Sequence, residues 1–241
     1  MASDILLQLR EALASQADEA TRKNGERYFK SDQKSVIIMY GIRSATVTQI
    51  GKTFLQTLKH EEKHTIFGLC EDLWASGMME ESFIACQWSY SRKRDYTPDD
   101  FTVFERWVGR YVNNWASCDT LCNHTIGTLV EMYPAFINDL KRWAESPNRW
   151  LRRAAAVSLI VPARKGLFLR EILEIATILL HDKDDMVQKG YGWMLKVASQ
   201  QHLDAIFQFV LNHKATMPRT AGPVGSLRRL SPGSRSSRQI L

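Results

Sequence analysis

An eight-residue stretch, Trp150-Leu151-Arg152-Arg153-Ala154-Ala155-Ala156-Val157, is echoed 36 positions later by Met186-Val187-Gln188-Lys189-Gly190-Tyr191-Gly192-Trp193. A basic residue falls at the same place in each (Arg153, Lys189), and small residues coincide twice (Ala154 with Gly190, Ala156 with Gly192). Each stretch follows a polar turn, Ser146-Pro147-Asn148 or Asp182 to Asp185. Small residues let neighbouring helices approach closely. Helix pairs that recur at about 35–45 residues are the mark of an α-solenoid, whose stacked pairs leave an extended concave face.

The remaining sequence agrees with an all-α chain. Ile5, Leu6, Leu9 and Leu13 form an apolar stripe at helical spacing. Further helices are predicted at about 18–30, 46–58, 61–75, 80–94, 117–132, 135–144, 167–180 and 203–212. Thr97-Pro98-Asp99-Asp100 reads as a helix start with a proline at the first helical position and acids in the first turn. Ser146-Pro147 repeats that grammar, and Asp182 to Asp185 caps a helix running through Trp193. Residues 31–43 are loop-like and close on Gly41. The run Val36-Ile37-Ile38-Met39-Tyr40 is β-like, but one strand makes no sheet.

Charge narrows the function less than its total implies. There are 32 Lys and Arg against 26 Asp and Glu, a formal net charge of +6. The last acid is Asp204, and Lys214, Arg219, Arg228, Arg229, Arg235 and Arg238 follow His213. Residues 1–213 are therefore neutral overall, and the whole excess lies near the C-terminus. From Gly222 the composition turns to Gly, Pro, Ser and Arg, which reads as a flexible basic tail over 222–241. A hydrophobic share of 44% and a charged share of 24% fit a globular protein. No apolar run approaches the roughly 18 residues of a membrane span. With no basic-then-apolar leader at Met1-Ala2-Ser3-Asp4, a cytoplasmic chain is expected. Cys70, Cys86, Cys118 and Cys122 contain no CxxC and read as reduced, buried thiols.

Two apparent metal motifs carry little weight. His60-Glu61-Glu62-Lys63-His64 matches HExxH, but it falls where one helix ends and another starts, and no third ligand is evident, with Glu80 and Glu81 left open. Cys118, Cys122 and His124 are close in sequence, yet four-residue spacing within an apolar helix favours core packing for the cysteines. No metal and no cofactor are expected.

Asn113-Asn114-Trp115-Ala116-Ser117-Cys118-Asp119 is more informative. Trp115 and Asp119 share a face if this turn is helical. Taken singly, Asp119 reads as a helix-capping acid, Trp193 as core, and Arg152-Arg153 as a solvated pair. Taken together with Arg27-Tyr28, Gly41-Ile42-Arg43, Trp150-Leu-Arg-Arg153-Ala-Ala and Gln188-Lys-Gly-Tyr-Gly-Trp193-Met-Leu-Lys196, they resemble the DNA alkylation repair family of HEAT-like-repeat DNA glycosylases, over roughly residues 5–221.

The resemblance implies one HEAT-like-repeat glycosylase domain over 1–221, with duplex DNA on the concave face. It implies excision of cationic N3- or N7-alkylated purines, by a monomer held at the nucleoid through DNA. The family's catalytic acid falls on Asp119 and its active-site tryptophans on Trp115 and Trp193. DNA-contacting positions fall on Tyr28, Arg153 and Lys196, where lysine keeps the charge of the more usual arginine but not its fork. Arg43, Arg152 and Lys189 are further candidates for phosphate contacts. The chemistry suits these residue types. An alkylated purine already carries positive charge and leaves without a strong acid, so a carboxylate beside the developing oxocarbenium is the main requirement. Indole faces attract cations. The competing readings are a non-catalytic DNA-structure binder and a protein-interaction solenoid.

The chain departs from the family at its C-terminus, where helical pattern gives way to the Gly/Ser/Arg tail. Truncation after Ala221 is expected to weaken nonspecific, salt-sensitive DNA binding while excision continues. Fluorescence anisotropy with undamaged duplex, beside an excision assay, checks this; loss of excision from a folded truncated chain refutes it.

Overall fold

A computed structural model describes residues 2–29, 32 and 37–218. The expected tail at 222–241 lies outside them. The described residues form helices and no strand; a single bridge pairs Ile38 with Met78, so the β-like run makes no sheet. None of their helices is long and apolar enough to cross a membrane.

The chain divides into two compact units between Phe136 and Ile137. The first contains α1 (Ala2–Ala14), α2 (Glu19–Phe29), α3 (Ser44–Thr57), α4 (Lys63–Ala75), α5 (Met79–Ser91), α6 (Asp100–Arg110) and α7 (Trp115–Thr120). A π-helical turn, Leu121–Ile126, carries α7 directly into α8 (Gly127–Met132). The second unit contains α9 (Ile137–Ala144), α10 (Arg149–Val157), α11 (Ile160–Arg164), α12 (Leu169–Ile178), α13 (Asp185–Ala198) and α14 (Leu203–Asn212).

Within the first unit α5 is the central helix, packed on α3, α4 and α7. Its Ile84 and Trp88 are fully enclosed, and the Trp88 indole N–H donates to the Gly51 carbonyl on α3 at 2.9 Å. The α4–α6 region is filled by aromatic rings. Phe67 meets Phe104 at 5.5 Å and Trp107 at 5.7 Å, and Tyr96 meets Phe104 at 5.4 Å. Each such pair contributes about 0.5–1.5 kcal/mol beyond its buried area. Glu71 of α4 ties this cluster at its edge, accepting from Arg106 at 2.7 Å, Trp107 Nε1 at 2.6 Å and the Tyr111 hydroxyl at 2.8 Å. Burial works against its charge, but these three donors hold the carboxyl below the usual carboxylate range.

In the second unit α10 lies along α13, with Gly190 of α13 against Arg153 and Val157 of α10. Ala154, Ala155 and Ala156 are fully enclosed. A Cβ on Gly190 would stand 3.3 Å from Arg153 Cγ and 3.5 Å from Val157 Cγ2, a tight fit that the Arg153 side chain would have to relieve by a few tenths of an ångström. The turns repeat as well as the helices. Ser146 Oγ accepts from Asn148 N at 3.1 Å, and Asn148 Oδ1 accepts from Trp150 N at 2.8 Å. Likewise Asp182 Oδ1 accepts from Asp184 N at 2.8 Å, and Asp184 Oδ1 from Met186 N at 2.9 Å. Each bond satisfies a backbone donor that a helix start would otherwise orphan.

The interval extends further than the sequence showed. Helices α3, α5, α7, α10 and α13 begin at residues 44, 79, 115, 149 and 185, successive steps of 35, 36, 34 and 36. Ser76 Oγ accepts from Met78 N at 3.1 Å just before α5, the same turn in the first unit.

Some boundaries differ from the sequence expectation. The cap after Ser146-Pro147 is Asn148, because its amide side chain reaches the second helical N–H. Thr97 does not cap α6; Asp100 reaches back to accept from Thr97 N at 2.8 Å, and the helix starts there. The helix expected to 94 ends at Ser91 and continues as a 3₁₀ turn, Lys93–Asp95.

The link from α2 to α3 closes at Gly41, whose φ is +85°. A Cβ there would lie 2.5 Å from the Asp18 carbonyl oxygen and 2.6 Å from Arg22 Cβ. Gly41→Ala is expected to cost about 2–4 kcal/mol, from the left-handed backbone plus the clash. Urea unfolding measures this, and a change under about 0.5 kcal/mol contradicts it.

Candidate functional site

Helix α7 is started by Asn114, whose side-chain oxygen accepts from Ser117 N at 2.9 Å. The capping role is therefore filled, and Asp119, the fifth residue of the helix, is not the cap that its sequence position implies on its own. Cys118, Leu121 and Cys122 are fully enclosed on the core side of the helix, while Trp115 and Asp119 are half-buried. The π turn follows at once. Insertions of this kind widen a helix by one residue and cluster at functional sites.

Trp115 faces Phe29 of α2, ring centroids 5.4 Å apart. Beside them lies an open cleft of about 310 Å³, lined by Tyr28, Arg43, Ser44, Glu80, Phe83 and Trp115 among others. The structure thus brings three predicted residues, Tyr28, Arg43 and Trp115, to one cleft, with Asp119 one turn along α7. Tyr28 is 75% exposed, an aromatic ring that the core does not use. Arg43 is also exposed and immediately precedes α3 in extended backbone.

In the second unit, α13 presents Lys189, Trp193 and Lys196 to solvent on one stripe, while Val187, Tyr191, Met194 and Leu195 are enclosed. Trp193 is 37% exposed, which removes the core reading. Lys189 pairs with Asp185 at 2.5 Å. Arg152 and Arg153 are not the solvated pair that they resemble in isolation. Arg152 binds Asp182 at 2.6 Å and the carbonyls of Ser146 at 2.9 Å and Pro147 at 3.0 Å. Arg153 is only 5% exposed and donates to the Met186 carbonyl across the bare surface of Gly190. Asp119, Arg153 and Lys189 are each the fifth residue of their helix, so one repeat position holds an acid, an enclosed cation and an exposed cation. Arg153 and Lys189 therefore share a position but not an exposure: Arg153 is enclosed with the Met186 carbonyl as acceptor, while Lys189 is at the surface.

The metal-like motifs take up structural roles. His60 lies in the turn after α3 and His64 inside α4, so HExxH spans a helix break. Glu80 and Glu81 are buried among protein donors. Cys118 and Cys122 face the core while His124 faces outward against the Tyr90 ring, centroids 5.3 Å apart. Burial, then Lys93, holds the His124 imidazole below its usual range. Burial raises the Cys70 and Cys86 thiols, in keeping with inert core cysteines.

Sequence reasoning missed Phe29, Glu80 and Phe83. Nothing marks them locally, because each reaches the cleft by tertiary contact.

A family model described as DNA alkylation repair enzyme matches residues 9–226. A solved structure described as a predicted DNA alkylation repair enzyme from Enterococcus faecalis superposes with a TM-score of 0.74. It shares 15% sequence identity and covers 93% of this chain and 98% of its own. At that identity the likeness speaks for the all-α helical-repeat fold. None of the curated proteins matches.

The two cations at one repeat position should behave differently. Arg153→Ala is expected to lose about 2–3 kcal/mol of stability, since it removes a buried hydrogen bond and leaves a cavity where the enclosed side chain packed. Lys189→Ala should cost under about 0.5 kcal/mol. Equal losses in urea unfolding would contradict this.

Proposed function

The chain belongs to the family of DNA alkylation repair enzymes, and from that premise we propose that it is a monofunctional DNA glycosylase acting on cationic N3- or N7-alkylated purines in duplex DNA. The observation that carries this reading is the α7 pair. Trp115 and Asp119 stand one turn apart and partly open to solvent, on a helix whose start is already capped by Asn114. A half-buried carboxylate near an exposed aromatic cleft fits the stabilisation of a cation.

The reaction asks little else of the protein. The purine carries a positive charge from alkylation. When its glycosidic bond breaks, the electron pair leaves with the base, which departs neutral. Positive charge passes to the deoxyribose as an oxocarbenium ion. Asp119 stabilises that ion and orients a water, whose oxygen bonds to the anomeric carbon and whose proton passes to the carboxylate or solvent. Trp115 offers its π face to the cationic nucleotide, a contribution of about 0.5–2 kcal/mol. The family resemblance assigns Trp193 the same kind of role.

Binding rests on phosphate contacts, which position a duplex without reading its sequence. Tyr28 and Arg43 serve in the first unit. Lys189 and Lys196 serve in the second, with half-buried Arg152 and enclosed Arg153 supporting the surface from beneath. Affinity then falls with salt, and each lost contact flattens the dependence by about one unit of slope.

The test is abasic-site formation on a duplex carrying one N7-methylguanine. Asp119→Asn is expected to slow single-turnover excision at least about 100-fold, or ~2.7 kcal/mol in barrier, with DNA affinity little changed. Excision at the wild-type rate by this variant removes Asp119 from the proposal.

A further inference from the structure

Glu80 is 2% exposed, although a carboxylate on a helix surface normally faces water. Its partners explain the burial. Oε1 accepts the backbone N–H groups of Gly41 at 2.8 Å and Ile42 at 3.1 Å, and Oε2 accepts that of Tyr40 at 3.1 Å. Three donors converge on one side chain from a loop some forty residues away. Charge-assisted bonds of this kind offset the cost of removing a carboxylate from water.

The turn so held is the junction of the cleft. The Gly41 carbonyl accepts from Asp18 N at 3.1 Å, at the start of α2, and its left-handed backbone leaves no room for a Cβ beside Arg22. Met39 packs against Gly25 of the same helix. Ile42 leads directly into Arg43, the residue that opens α3. Gly41, Ile42, Arg43, Tyr28 and Glu80 all line the one cleft with Trp115. The neighbouring acid has a separate task. Glu81 takes Arg10 at 3.0 Å and the Tyr40 hydroxyl at 2.8 Å, anchoring α1 and the outer side of the turn.

We infer that Glu80 is a positioning residue for DNA binding: its carboxylate fixes the Tyr40–Gly41–Ile42 turn and thereby sets Arg43 and the Tyr28-bearing α2 in the geometry that grips the phosphate backbone. The inference rests on the reading of Tyr28 and Arg43 as DNA contacts. A turn fixed before DNA arrives leaves less ordering to be done on binding.

The experiment is a double-mutant cycle with the full-length chain and an undamaged duplex, read by fluorescence anisotropy across a salt series. Glu80→Gln keeps the shape and weakens the three bonds. It is expected to reduce DNA affinity about 10-fold and to flatten the salt slope as Arg43→Ala does. The double variant should be no weaker than the weaker single variant. On a duplex carrying N7-methylguanine, the loss should fall on affinity far more than on the excision rate at saturating DNA.

Additive losses, or wild-type affinity and salt slope in Glu80→Gln beside a weakened Arg43→Ala, overturn the inference and leave the DNA-contact reading standing. Wild-type affinity in both Arg43→Ala and Tyr28→Ala overturns that reading, and this inference with it. Hydrogen exchange on the unaltered chain needs no variant to fold. Slow exchange at the Gly41 and Ile42 amides, before and after DNA is added, supports a turn held in advance, and free exchange in the unbound chain refutes it.

Discussion

A side-chain oxygen that accepts the backbone N–H two residues ahead sets where three of the principal helices begin. Ser76, Ser146 and Asp182 each make this bond, before α5, α10 and α13. Asn148 and Asp184 then cap the helices that follow, and Arg149 at the start of α10 pairs with Asp184 at 2.8 Å. A helix that starts at a fixed residue presents fixed residues on each face, because the period is 3.6. The starts of α3, α5, α7, α10 and α13 are spaced by 34 to 36 residues. Every predicted site residue except Tyr28 lies on, or immediately before, one of α3, α7, α10 and α13.

Equivalent position does not mean equivalent environment. The fifth residue is Asp119 on α7, Arg153 on α10 and Lys189 on α13. Gly190 leaves space that the Arg153 side chain fills, whereas Lys189 stays at the surface with Asp185. The same contrast governs the acids. Asp119 keeps a half-buried place on a helix capped by another residue, while Glu80 is drawn fully inside by three backbone donors. What a charged side chain can do for DNA is decided here by the backbone groups within its reach.

Much of this architecture was legible in the sequence, and the exceptions have physical causes. The helical stripes and the Ala/Gly echo at 36 residues are local patterns, and the echoed stretches lie on α10 and α13, which pack together. The repeat in the first unit was hidden because Ser44, Met79 and Trp115 open their helices with unlike residues, and only the backbone reveals the common interval. Trp115 beside Tyr28 and Arg43 was legible through family motifs rather than spacing, since these residues are brought together from three separate helices. The burial of Glu80, Glu81 and Arg153 was not legible, because their partners lie 33 to 71 residues away. Asn148 displaced the expected start at Ser146-Pro147 because an amide at that place reaches the second helical N–H, which the proline motif alone did not indicate.

A glycosylase breaks the bond at the sugar, with the alkyl group still on the base that departs. Mass analysis of everything released from a duplex carrying one N7-methylguanine tests this most directly. Intact free N7-methylguanine and an unbroken strand with one abasic site, in equal amounts, are the expected products. Recovery of the duplex with unmodified guanine in place, or with the lesion untouched under saturating protein, would contradict the glycosylase reading.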